Sequence, residues 1–186
     1  ARDGLMVALL AARPLRKSNF ARSAIGRHLV PLDDGYLLTF ERHETKTHRP
    51  FEVPVPDRLV APLTTYLEHI RPMLLGNEVH TRLWVNLNGT PMAPHHLYQR
   101  IVRATEELVG VPIPPHAFRH CAATSIAVDD PAHVRIGATL LGHATFTTTE
   151  RHYNQAQSLE AGRDWQRTLD GLRRSHSRCR QPTRKG

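Results

Sequence analysis

The chain changes hydrophobic period twice. Residues 4–12 are apolar nearly all round, the pattern of a buried helix. Pro14 disfavours helical geometry in the residue before it, so the helix ends at Arg13. A second helix starts at Leu15-Arg16, with Phe20 and Ile25 as packing residues. From His28 to Pro56 the period falls to two. His28-Leu29-Val30, Tyr36-Leu37-Leu38-Thr39-Phe40 and the alternating Phe51, Val53 and Val55 predict three short strands. Asp33-Asp34-Gly35 is a turn, the polar segment 41–49 suits a hairpin tip, and Pro54 puts the third strand at a sheet edge.

The helical period then returns. Asp57 is an expected N-cap for a helix reaching Ile70, with Leu59, Val60, Leu63, Leu67 and Ile70 facing inward. Pro62 is tolerable only near its first turn. Leu83-Trp84-Val85 reads as a short strand and Asn88-Gly89 as a turn. Pro94 opens a helix with Leu97, Ile101, Ala104 and Leu108 inward. Val111-Pro112-Ile113-Pro114-Pro115 is an extended approach to a helix carrying His116 and Arg119. Asp130-Pro131 caps and opens a helix over 131–141, which Gly142 stops. Thr147 and Glu150 have capping-box spacing for a short helix carrying Tyr153. A last helix over 158–174 has Leu159, Trp165, Leu169 and Leu172 on one side.

Composition narrows the partner. At 186 residues the chain is one domain, or one domain with a tail, and can bury a real core. Its formal charge of +8, from 25 Lys and Arg against 17 Asp and Glu, points to a polyanion, with nucleic acid first. The 13 histidines are scattered without zinc spacing, and the adjacent His95-His96 is a poor metal clamp, so no metal is expected. Cys121 and Cys179 make no disulfide framework and fit a reducing cytosol, with Cys121 expected to pack on its helix. No apolar run approaches the roughly 18 residues of a membrane span. The chain opens inside a structured pattern, which suggests that a preceding domain is missing. Arg173, Arg174, Arg178, Arg180, Arg184 and Lys185 form a basic tail over 173–186, expected to be disordered.

The chemistry concentrates between 115 and 154. His116 and Arg119 lie three apart and share a helical face. His143 follows Gly142, and Tyr153 comes ten residues later. Arginine offers fork-shaped donors to phosphate oxygens, histidine donates or moves protons near neutral pH, and tyrosine can act as a covalent nucleophile.

His116-x-x-Arg119, Leu141-Gly142-His143 and Tyr153, in this order and spacing, resemble the catalytic domain of the tyrosine recombinases, or phage-integrase family. The resemblance extends over about 4–155. It implies an α+β, mainly helical fold with a small antiparallel three-stranded sheet, over 1–172. Two more catalytic residues follow from it. Arg16 matches the first catalytic arginine, although Pro14 replaces the usual Gly and Asn19 the common acidic residue. Lys46, in Thr45-Lys46-Thr47, matches the hairpin lysine. The implied catalytic set is Arg16, Lys46, His116, Arg119, His143 and Tyr153, acting without metal, ATP or cofactor. Arg13, Lys17, Arg42, Arg49 and Arg100 are further candidates for DNA contacts. The resemblance also implies double-stranded DNA as partner, a tetramer on DNA joined through the C-terminal segment, and a bacterial or phage-encoded cytoplasmic protein at the nucleoid. A type IB topoisomerase-like nicking-closing enzyme and a DNA-binding regulator without catalysis remain as alternatives. His120 and His152 are expected to support their neighbours, His120 by packing.

Overall fold

The computed structural model describes the backbone of residues 1–129 and the side chains of residues 1–125. The helices expected at 131–141, around Tyr153 and at 158–174, with Gly142, His143 and the basic tail, lie outside the described residues.

Helix α1 (Arg2–Ala12) buries Leu5, Met6, Leu9 and Leu10. It ends where Pro14 forces Arg13 out of helical geometry, at φ −138° and ψ 85°. Helix α2 (Lys17–Arg22) follows, with Arg16 as its extended N-cap rather than its first residue. Strands β1 (Leu29–Leu32), β2 (Gly35–Phe40) and β3 (Phe51–Pro54) form one antiparallel sheet in that order. The register sets Leu38 opposite both Leu29 and Val53, and all three are buried. Phe40 faces Phe51 at the loop end.

Helix α3 (Asp57–Thr65) runs through a π-helical turn (Tyr66–Ile70) into α4 (Arg71–Leu75). Pro56 is the N-cap, and the expected Asp57 cap bond is absent; Asp57 is the first helical residue. Pro62 is accommodated inside α3. The wide turn lies just before Pro72, whose ring would clash with the carbonyl four residues back in a regular helix. This turn brings Tyr66, absent from the predicted inner stripe, fully into the core.

The expected strand at Leu83-Trp84-Val85 does not form. The carbonyls of Leu83 and Val85, and two just before them, accept from side chains instead, while the Trp84 carbonyl accepts the Met92 N–H at 3.0 Å. Tyr66 Oη donates to Leu83 O at 2.8 Å, and Arg2 donates to Val85 O at 2.6 Å. Arg71 donates to His80 O at 2.6 Å and to Arg82 O at 2.8 and 3.0 Å. Only isolated bridges remain, Ala24 to Arg82 and Val85 to Pro91. Trp84 thereby enters the core with no exposed surface, its ring 5.0 Å from Phe20 and 5.4 Å from Tyr66 between centroids. Burial pushes the Tyr66 hydroxyl up to about 12, so it remains a donor at all ordinary pH.

Helix α5 (Pro94–Val109) buries Leu97, Ile101, Ala104 and Thr105. Leu108, expected inward, is 62% exposed, because the chain leaves the core one turn earlier. There Thr105 Oγ1 accepts the Ile113 N–H at 2.8 Å, and Gly110 ends the helix in a left-handed conformation. Helix α6 (Pro115–Asp129) packs through Pro115, Phe118 and Ala123. Cys121 and His120, both expected to pack, are exposed. No helix among the described residues is long and apolar enough to cross a membrane.

Two stability measurements check this core. Trp84→Ala should cost about 3–5 kcal/mol in chemical denaturation. Tyr66→Phe should cost about 1 kcal/mol, by orphaning the Leu83 carbonyl while leaving the ring packing intact.

Candidate active site

The Pro14 break sets the site. Arg16, at the N-cap of α2, is half-buried, and burial pulls its pKa down. Phe20, one turn on, is locked under Trp84, which fixes the helix that Arg16 begins. Helix α6 brings Arg119 to the same break, where its Nη1 donates to Pro14 O at 2.6 Å. Burial, and then the charge of Arg16, pull Arg119 down to about 10, which still leaves it cationic at neutral pH. The fold therefore holds two guanidinium groups within electrostatic reach of each other, across 103 positions of sequence. Guanidinium groups donate in a fork geometry that matches phosphate oxygens.

His116 lies one turn before Arg119 and is exposed. Its ring meets His120 edge-on, with centroids 6.1 Å apart. Cys121 follows on the exposed side.

Lys46 is exposed on the loop between β2 and β3. That loop is built rather than loose. A 3-10 turn (Arg42–Glu44) is closed by a capping box between Glu41 and Glu44. Buried Thr45 closes the second half: Oγ1 donates to Arg49 O at 2.7 Å and accepts the Arg49 N–H at 3.2 Å. His48 returns the chain in a left-handed conformation, φ 50°. Glu44 ties the loop to the start of β1, accepting from Arg27 at 2.6 Å and from His28 Nε2 at 2.9 Å. The tautomer follows from the other ring nitrogen, since His28 Nδ1 accepts the Ala24 N–H at 3.0 Å and Nε2 must carry the proton. Burial opposes ionisation of Glu44. The His28 and Glu41 amide hydrogen bonds, with the charge of Arg27, outweigh it and hold the carboxyl below its ordinary range.

A cleft of about 340 Å³ joins the loop to α2, lined by Asn19, Arg22, Arg27, His28, His43, Glu44 and Arg82 among others. The sequence reading missed this basic wall. Arg27 lies in a strand approach and Arg82 in an irregular segment, so neither carries a periodic signal. Asn19, which replaces the acidic residue common in the resembled motif, lines the same cleft.

The remaining candidates differ in placement. Arg100 and Arg2 both pair with Asp3, joining α1 to α5, so the Arg100 charge is answered inside the fold. Arg13 donates to Pro54 O at 3.1 Å and ties α1 to the end of β3. Lys17 sits 5.6 Å from the Tyr98 ring centre as a cation over an aromatic face. Arg42 and Arg49 are exposed on either side of Lys46. His143 and Tyr153 lie outside the described residues.

Comparison with known proteins agrees with this frame. Residues 1–160 match the model of the phage integrase family, and the chain belongs to that family. Tyrosine recombinase XerD of Staphylococcus aureus is 29% identical over 158 residues, covering 84% of this chain and 51% of that protein. The Staphylococcus saprophyticus XerD is 28% identical over 159 residues, with the same coverage. The chain thus spans about half the length of the curated relatives it matches. Among solved structures, XerH site-specific recombinase bound to palindromic difH substrate, a post-cleavage complex, aligns with a TM-score of 0.66 at 22% identity, over 89% of this chain and 46% of that one. The Tn1549 transposon integrase in complex with transposon right end DNA aligns at 0.59 and 17% identity, over 87% and 57%. These structures establish the recombinase catalytic-domain fold, mainly helical with a small antiparallel sheet.

Two outcomes check the site's electrostatics. Sulfate should raise the melting temperature of the wild type, and the rise should shrink in Arg119→Ala, which has one guanidinium to neutralise instead of two. Glu44 has a folded-state pKa below its ordinary value of 4.5, so its stabilisation is present above that value and lost as pH falls through the folded one. The melting-temperature gap between wild type and Glu44→Gln should therefore be constant near neutrality and close on acidification below pH 4.5.

Proposed function

We propose that this chain is the catalytic domain of a site-specific DNA recombinase that cleaves and rejoins strands through a covalent 3′-phosphotyrosyl intermediate. The observation that carries the reading is the half-buried Arg16–Arg119 pair, with His116 one turn from Arg119 on α6. That is a preorganised site for one phosphate beside an exposed proton carrier. The Leu141-Gly142-His143 motif and Tyr153 extend it on sequence grounds.

In this reading the Tyr153 oxygen attacks the scissile phosphorus and the bond from phosphorus to the 5′-oxygen breaks. Free tyrosine has a pKa of about 10, so attack near neutral pH requires proton removal, and His116 accepts that proton. Negative charge grows on the non-bridging oxygens, where Arg16 and Arg119 donate in pairs and His143 adds a further donor. Lys46 gives its proton to the departing 5′-oxygen. The 5′-hydroxyl of a partner strand then reverses the step. The phosphotyrosyl bond conserves the energy, so the chemistry calls for no metal, nucleotide or other cofactor. Double-stranded DNA is the substrate. Assembly as a tetramer through the C-terminal segment belongs to the same reading.

The test uses nicked suicide duplexes carrying candidate sites, without divalent metal. The wild type should form a denaturant-resistant protein–DNA adduct and Tyr153→Phe none. Arg16→Ala and Arg119→Ala should slow adduct formation roughly a hundredfold to a thousandfold, the cost of one preorganised donor. An adduct that survives Tyr153→Phe removes the assignment. DNA affinity should fall steeply with salt, and a flat dependence argues against a phosphate-led interface.

A further inference from the structure

Lys46 sits on an exposed loop, yet proton delivery demands a fixed approach. A lysine carries a flexible four-carbon stem, so its reach is set by the backbone from which it springs. Two closures shape that backbone from within: the Glu41–Glu44 capping box and the Thr45–Arg49 pair. Neither ties the loop to the rest of the molecule. Glu44 does. Its Oε1 receives both Arg27 and His28, and its Oε2 receives the Glu41 N–H at 3.0 Å. His28 is a firm anchor for three reasons. It is 6% exposed, its Nδ1 is committed to the Ala24 amide, and its ring stacks on Phe40 at 5.0 Å. Ala24 is in turn bridged to Arg82, and Ile25 donates to Thr81 O at 2.8 Å. The restraint thus passes from the core, through His28 and Glu44, to a point two residues before Lys46.

We propose that Glu44 is a positioning residue for the proton transfer made by Lys46, holding the loop so that the Lys46 ammonium meets the departing 5′-oxygen. This rests on the assignment of Lys46 as the acid. In this role Glu44 acts through the backbone it anchors rather than on the reacting atoms. In the step concerned, the bond from phosphorus to O5′ breaks with its electron pair on oxygen, and the Lys46 proton moves to that oxygen.

A leaving group that needs no proton separates this role from a general structural one. Single-turnover cleavage by the full-length protein is measured on two duplexes. One is ordinary; the other carries sulfur in place of the scissile 5′-oxygen. A thiolate departs without an acid. Glu44→Ala is expected to slow cleavage of the ordinary duplex about tenfold to a hundredfold, the scale of an ångström-sized misplacement. On the sulfur duplex it should cleave at the wild-type rate, as should Lys46→Ala. Glu44→Gln keeps the size and one acceptor and should give a smaller defect of the same kind; it carries the test should Glu44→Ala fail to fold. Melting temperature and DNA affinity are followed alongside. An unchanged rate on the ordinary duplex overturns the proposal. So does an equal loss on both duplexes, which would place Glu44 in folding or DNA binding. Lys46→Ala reports on the underlying assignment: a defect that sulfur does not relieve removes Lys46 as the acid, and the role of Glu44 falls with it. Relief in Lys46→Ala without relief in the Glu44 variants overturns only the Glu44 role.

Discussion

The proposed chemistry depends on two like charges in a half-buried place at the Pro14 break. Arg16 and Arg119 repel each other, and burial denies both of them part of their hydration. The fold tolerates this because each is fixed by something stronger. Arg16 caps a helix whose Phe20 is clamped under Trp84, and Arg119 is anchored on the Pro14 carbonyl. In the proposed reaction a phosphate meets both groups, so binding and charge stabilisation would draw on one arrangement made in advance.

That arrangement depends on a core in which polar side chains shape the backbone. Arg2, Tyr66 and Arg71 are buried, and each gives hydrogen bonds to carbonyls between His80 and Val85. These bonds replace a strand ladder and let an irregular segment place Trp84 at the centre of the molecule. The sheet lies to one side, and its main consequence is the loop between β2 and β3. Capped at Glu41, stapled at Thr45 and tied down through Glu44 and His28, that loop gives an exposed lysine a defined origin.

Much of this is legible in the chain. The helical stripes at 4–12 and 94–109, the three period-two segments and the proline breaks follow from local sterics and from the need to hide one face of each element. His116 and Arg119 stand out by their spacing on one helix, while Arg16 and Lys46 are candidates only through the resemblance to the family's motifs. Leu108 illustrates the limit of such reading. Its spacing matches the inner stripe of α5, yet the core ends at Thr105, where the following segment crosses. Cys121 and His120 similarly lie on a helix whose buried face belongs to Phe118 and Ala123.

The sequence alone determined most of the elements, their order and the chemical groups available, because these depend on neighbours within a few positions; the strand expected at Leu83-Trp84-Val85 is the exception. Tertiary structure alone decided which groups meet. The Arg119–Pro14 bond spans 105 positions, the Arg2–Val85 bond 83, and the Arg27–Glu44 pair 17. No periodicity encodes contacts of that range. The first two exist because the apolar faces close on one core and leave particular donors and carbonyls away from water, where a partner inside the fold is favoured; the Arg27–Glu44 pair forms at the surface, where the loop folds back on the start of β1.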